Sequence, residues 1–195
     1  MARLIAFAGL TAAAWKNGAG STTEIVVFPP GAGFERFDWR LSVAAIAASG
    51  PFSVFAGIDR SLALLSGGAV ALTFEGGRHV GLTPAAPRIA FAGERAVRAD
   101  VAAPSMDFNV MTRRGSCRHR LDEVSLPSSL TADGGVVALF LAAGSHARAR
   151  RGARRFDLGP YDTLLLDESD QGDRGDWELD GAPGARLLVA RIFPA

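Results

Sequence analysis

The stretch Val70-Ala71-Leu72-Thr73-Phe74-Glu75-Gly76-Gly77-Arg78-His79-Val80-Gly81-Leu82 decides the fold class. Two short runs with β-forming residues flank a Gly-Gly pair, which is the signal of a β-hairpin. The same grammar extends in both directions. Thr22–Phe28 is β-branched and apolar. Phe37–Ser42 alternates, with Phe37, Trp39 and Leu41 on one face and Asp38, Arg40 and Ser42 on the other. Runs at 88–91, 97–101, 106–111, 118–123, 136–141, 147–151, 154–158, 162–166 and 186–193 read as further strands. Gly and Pro punctuate them every 8–12 residues or so, the rhythm of an antiparallel sandwich or barrel. Leu10–Lys16 could form one or two helical turns, and the Ala-rich run 44–48 continues a strand. The chain is expected to be all-β.

The strand grammar of Leu62–Glu94 recurs in Val136–Glu168. Two similar β units imply two small antiparallel barrels, or one duplicated sandwich. A boundary near Ala103-Pro104-Ser105 divides the chain into 1–104 and 105–195, with strand exchange between the halves allowed.

Composition narrows the function. The 195 residues carry 21 Lys+Arg against 20 Asp+Glu, a net charge of +1, and 48% are hydrophobic. Near-neutral charge argues against a general affinity for nucleic acid or anionic membrane. No apolar run reaches the length of a membrane span. A single cysteine, Cys117, excludes an intrachain disulfide. With no convincing signal peptide at the N-terminus, a reducing, cytoplasmic setting is expected.

Scarcity points to candidate sites. Among the 21 basic residues only Lys16 is a lysine, and asparagine occurs only at Asn17 and Asn109. Segment 15–22, WKNGAGST, holds two of the three. It lacks the Gly-Lys of a phosphate loop and precedes a strand, so neither nucleotide fingerprint fits. Turn chemistry alone accounts for it; so does a polar wall for an anion, built from Lys16, Asn17 and loop N–H groups. Arg40 and Ser42 lie opposite Phe37 and Trp39. Arg40 is solvated if the apolar face is core, and must be paired if the polar face lines a barrel. Asp59 and Arg60, adjacent on a strand, point to opposite faces and read equally as two exposed charges. Asp107, Asn109, Met111 and Arg113 share one face at period 2, which suits a solvated face or a pocket.

Other constellations are weaker. His79, His119 and His146 are dispersed, without metal-ligand spacing. Cys117 and His119 could share a strand face, but in an exposed basic hairpin. The Arg cluster 148–155 has no interleaved aromatics for base stacking. Its acidic complement at 162–180 would neutralise it across strands or across a homodimer contact.

WKNGAGSTTEI, FDWRLSVAAI, SGPFSVFAGIDRSLALLSG and DFNVMTRRG, in this order, resemble the HutD/Ves family, bacterial proteins named from histidine-utilisation operons and from a stress-induced relative. The family is similar to bicupins, so the resemblance implies two jelly-roll-like cupin barrels in one chain. Cupins often hold a metal through an H-x-H…E…H set. The corresponding stretch here, Phe52–Gly67, has no His, so no metal and no cofactor is expected. The operon association implies a role near histidine breakdown, with formylglutamate or a related acid as ligand. The leading expectation is therefore a regulatory bicupin that binds a small carboxylate through Lys16, Arg40 and Arg60. Asn17, Ser42, Asp107 and Asn109 would complete the site. An isomerase or lyase using Asp107 or Lys16 as general base is the rival, and an interaction protein without ligand the third reading.

Overall fold

The computed structural model describes residues 2–132, 135–167 and 176–195. Nineteen strands form among them, with one short 3₁₀ turn at Phe7–Gly9 and no α-helix. No helix among them is long and apolar enough to cross a membrane. The strands are β1 (Arg3–Ile5), β2 (Ala12–Ala14), β3 (Gly20–Phe28), β4 (Trp39–Ile46), β5 (Gly50–Pro51), β6 (Ile58–Gly67), β7 (Val70–Phe74), β8 (His79–Leu82), β9 (Arg88–Ala92) and β10 (Val97–Val101). They continue with β11 (Ser105–Arg113), β12 (Cys117–Ser125), β13 (Ser128–Leu130), β14 (Val136–Ala143), β15 (Ala147–Arg151), β16 (Arg154–Leu158), β17 (Thr163–Leu166), β18 (Trp177–Gly181) and β19 (Arg186–Pro194).

Two compact units result, Thr11–Cys117 and Met1–Leu10 with Arg118–Ala195. The division therefore falls at 117/118, beyond the expected 104/105. The reason is β11, which is a central strand of the first unit, hydrogen-bonded to β4 on one side and β6 on the other. Residues 1–10 join the second unit because β1 pairs with β17.

In the first unit a six-stranded sheet, β2-β3-β4-β11-β6-β9, and a four-stranded sheet, β5-β10-β7-β8, enclose a core. Ile46, Leu62, Leu64 and Phe91 from the first meet Val70, Leu72, Phe74, Val97 and Ala99 from the second. The Val70–Leu82 hairpin forms as the Gly76-Gly77 turn requires, both glycines having positive φ.

The second unit repeats this topology. In its five-stranded sheet, β12-β19-β14-β17-β1, the first four strands match β4-β11-β6-β9, and β13-β18-β15-β16 matches β5-β10-β7-β8. The repeat thus runs further than the two segments expected from sequence. Leu139 and Leu141 of β14 and Leu187 and Val189 of β19 fill the interior with Trp177, all 1% exposed or less. The Asp133-Gly134 turn and Glu168, Asp170, Asp173 and Arg174 of the expected acidic complement lie outside the described residues.

Leu10–Lys16 is not helical. Ala12–Ala14 forms β2, an edge strand in register with Ser21–Thr23. Alanine's helix preference amounts to a few tenths of a kcal/mol per residue, and pairing with the open edge of β3 outweighs it.

Candidate functional site

The inner face of the six-stranded sheet changes character along its length. Towards one end it carries Ile46, Leu62 and Leu64; towards the other, Arg40 and Ser42 of β4, Asn109 and Met111 of β11, and Arg60 of β6. Registered partners share a face, so Met111 stands between Arg40 and Arg60, and Asn109 lies beside Ser42. These polar residues line a cavity of about 750 Å³ within the first unit. That size suits a small molecule. Lys16, Asn17, Arg40, Ser42, Arg60, Asp107 and Asn109, the seven residues singled out from sequence, all lie on its wall. Arg113 leaves this row. Its guanidinium donates to the Phe37 and Glu35 carbonyls at 2.9 and 2.8 Å.

Two bulges help to aim the side chains. One lies between Glu24 and Val26 on β3, the other next to Asp107 where β11 meets β6. Each inserts a residue and re-phases the strand beside the site. The 15–19 loop forms the rim. Gly18 has φ +69°, and Asn17 Oδ1 accepts from the Ala19 N–H at 3.0 Å. Trp15 Nε1 donates to Thr22 Oγ1 at 2.7 Å, setting the indole against Gly20. A Cβ there would strike the Ala45 carbonyl oxygen.

Arg40 is 6% exposed, which overturns its solvated reading. Its polar face lines the interior, so the charge must be paired, and Glu24 supplies the partner: Nε donates to Oε2 at 2.7 Å. A second contact reaches Ser42 Oγ at 3.4 Å, and the guanidinium lies 5.1 Å from the Phe34 ring centre. Arg60, also 6% exposed, is no surface charge either. It sits among the rings of Phe52, Phe55 and Phe91 at 5.2–5.5 Å. One N–H group reaches the Ser53 carbonyl at 3.4 Å, while Nε is buried without a partner. Burial lowers its pKa to about 10; Asp107 opposes that shift and Arg40 reinforces it. Its strand neighbour Asp59 points the other way and pairs with Arg114 at 2.5 Å.

Asp107 is 3% exposed. Burial pushes its carboxyl up to about 7, and the charge of Arg60 tempers the rise. Asp107 Oδ1 and Asn109 Oδ1 are buried without hydrogen-bond partners. The floor of the cavity thus holds a desolvated guanidinium and two unmatched acceptors, with aromatic rings around them.

Sequence reasoning missed Glu24 and the aromatic wall of Trp15, Phe34, Phe52 and Phe55. Glu24 had a signal, since it shares a period-2 face with Thr22. Phe52 and Phe55 read as ordinary core, and nothing local marks them as pocket walls.

Elsewhere, Cys117 is buried, its S–H donates to the Asp38 carbonyl at 3.1 Å, and burial pushes the thiol up. That setting opposes a nucleophilic role. In the basic cluster, Arg148 and Arg155 pair with Asp157 on their own hairpin, and Arg150 with Glu178. The cavity wall carries two carboxylates, Glu24 and Asp107, and no His or Cys among the described residues. No group of three metal-type ligands occurs among them. The wall does not fit the His-rich metal set common in cupins.

Known proteins extend the picture. A stretch of 106 residues is 44% identical to Protein Ves of Cronobacter sakazakii (strain ATCC BAA-894), covering 53% of this chain. It spans 56% of that curated relative's length. The structure of HutD from Pseudomonas fluorescens SBW25 is 29% identical over 100% of both chains, with a TM-score of 0.84. A cupin 2 conserved barrel domain protein from Leptotrichia buccalis is 8% identical, with a TM-score of 0.57 over 99% of this chain and 96% of its own. That likeness concerns the fold, and it marks the architecture as cupin-like. The HutD family model matches residues 8–185, across both units, and this chain belongs to the HutD family.

Proposed function

We propose that the chain is a metal-free small-molecule-binding bicupin whose first unit takes a small carboxylate such as formylglutamate, in a regulatory role in histidine catabolism. Arg60 carries this reading. Its guanidinium is buried in an aromatic box and faces a cavity, and its Nε lacks a protein partner. A planar carboxylate matches such a fork in shape and charge. Arg40, already held by Glu24, is a supporting cation rather than the principal anchor. Lys16 and Asn17 would close the rim, with Ser42 and Asn109 orienting the ligand. The related Pseudomonas fluorescens HutD structure is described as a formate condition, and formate is the smallest carboxylate.

Thermal-shift and calorimetric titration with N-formyl-L-glutamate, L-glutamate, urocanate and formate tests the reading. A carboxylate should raise Tm in a concentration-dependent way, by mass action on the folded state. Indifference to all four would sink it. A second reading, acid–base catalysis on a related acid, draws on Asp107, whose carboxyl near 7 suits a general acid or base. NMR of each bound acid over hours separates the two, since an enzyme changes the ligand and a binder returns it intact.

A further inference from the structure

Asp107 is the least expected group in the cavity. Its registered neighbours on the inner face are Ala44 of β4 and Leu64 of β6, neither of which can hydrogen-bond through its side chain. Oδ1 is sealed from solvent and finds no protein donor. Arg60 acts on the carboxyl only at a distance, without an ion pair or hydrogen bond. The other charges in the cavity are Arg40 of β4, its partner Glu24 of β3, and Lys16 in the rim loop. The four-stranded sheet opposite contributes the apolar Val70, Leu72 and Ala99. A carboxylate held in such surroundings is strongly disfavoured unless paired, so the acid form is the one that this geometry retains. A neutral carboxyl differs from a carboxylate in having a proton to donate. It also removes the like charge that would repel an anion.

Building on the carboxylate reading of the cavity, we propose that Asp107 is its specificity-determining group: it keeps its proton and donates it as a hydrogen bond to an anionic oxygen of the ligand, so that ligand uptake is coupled to proton uptake. The balance is simple. Below the Asp107 midpoint the proton is already present and binding moves none. Above it, each ligand bound brings one proton with it. A ligand carboxylate near the usual value of about 4 stays ionised from pH 6 to pH 9, and the wall carries no His or Cys to titrate there.

Calorimetric titration of the full chain with N-formyl-L-glutamate, and with glutarate in parallel, reads the coupling. Kd should be level below pH 7 and rise about tenfold per pH unit above it, because the competent fraction falls by that factor. Buffers of different ionisation enthalpy should report uptake approaching one proton per ligand at pH 9. Asp107→Asn keeps the shape and a neutral donor. It should bind within a few-fold of the parent at pH 6, lose the pH dependence, and exceed the parent by tenfold or more at pH 9. A parent Kd that stays level from pH 6 to pH 9 overturns the proton role and leaves the carboxylate site standing. So does an intact Asp107→Asn protein that binds at no pH. Failure of the parent to bind either acid at pH 6 overturns both. Carbon-13 NMR of the Asp107 carboxyl needs no ligand and no variant. A midpoint near 7 supports the proposal, and one below about 5 defeats it.

Discussion

Arg40 and Arg60 are chemically identical and differ in what surrounds them. Arg40 has Glu24 at 2.7 Å; Arg60 has three rings, one long contact to a carbonyl, and an orphaned Nε. Arg60→Ala should therefore weaken carboxylate binding by ten- to a hundredfold, the value of a charge-assisted hydrogen bond of about 1.5–3 kcal/mol. Arg40→Ala should cost only a few-fold, since part of that guanidinium already serves Glu24. Titration of both variants with the same acid ranks them, and equal losses would reject the ranking. Asp107 also leaves a signature on stability. Its folded midpoint, about 7, lies above the unfolded value near 3.8, so the folded state binds the extra proton between them. Stability contributed by the neutral carboxyl is full below pH 4 and is lost as pH rises towards 7. The Tm advantage of Asp107→Asn over the parent should grow across that window by several degrees and then level off. Thermal melts from pH 4 to pH 8 check it.

At the scale of elements, the site depends on how strands approach one another. β3 and β4 come so close at Gly20 that any Cβ would meet the Ala45 carbonyl, while the Trp15 ring closes the other side. Gly20→Ala must shift backbone, which costs about 1–3 kcal/mol. Tm should fall by several degrees, and carboxylate affinity should fall with it, because the displaced strand carries Glu24 and the rim loop. A Tm unchanged within a degree would show that the strands have room to spare. The bulges work on the same scale: one adds Ile25 to β3 just after Glu24, the other adds Leu65 to β6 opposite the Met106–Asp107 step, while β11 keeps an unbroken register with β4 that holds Asp107 on the inner face. Glu24 precedes its bulge and alternates regularly with Thr22, so its place in the site was hidden by the unknown strand beside it and not by a broken pattern.

For the whole molecule, duplication of the strand order does not duplicate the site. Where β6 and β11 bring Arg60, Asp107 and Asn109 to the first interior, β14 and β19 bring Leu139, Leu141, Leu187 and Val189 to the second. Calorimetry should return one ligand per chain. Leu139→Ala should destabilise the protein by about 2–5 kcal/mol through the cavity that it opens. Kd at the first unit should stay within twofold. Two equivalents of ligand would contradict this division of labour.

Much was written in the chain itself. Period-2 alternation, the Gly76-Gly77 turn and the spacing of punctuation determine an all-β chain, because they depend on neighbours a few residues apart. The rarity of Lys16, Asn17 and Asn109 marked two segments of the cavity before any contact was known. Tertiary structure alone decided the rest. Whether Arg40 faces water or an interior depends on which sheet face is covered, and a single strand cannot say. Glu24 rather than Asp107 meets Arg40 because of a bulge and a register. Ala12–Ala14 became strand because β3 offered it an open edge. The unit boundary moved past β11 because that strand's hydrogen bonds run to β4 and β6, far back in the chain. Each of these is set by long-range pairing and burial, whose energies exceed the local preferences that a sequence displays.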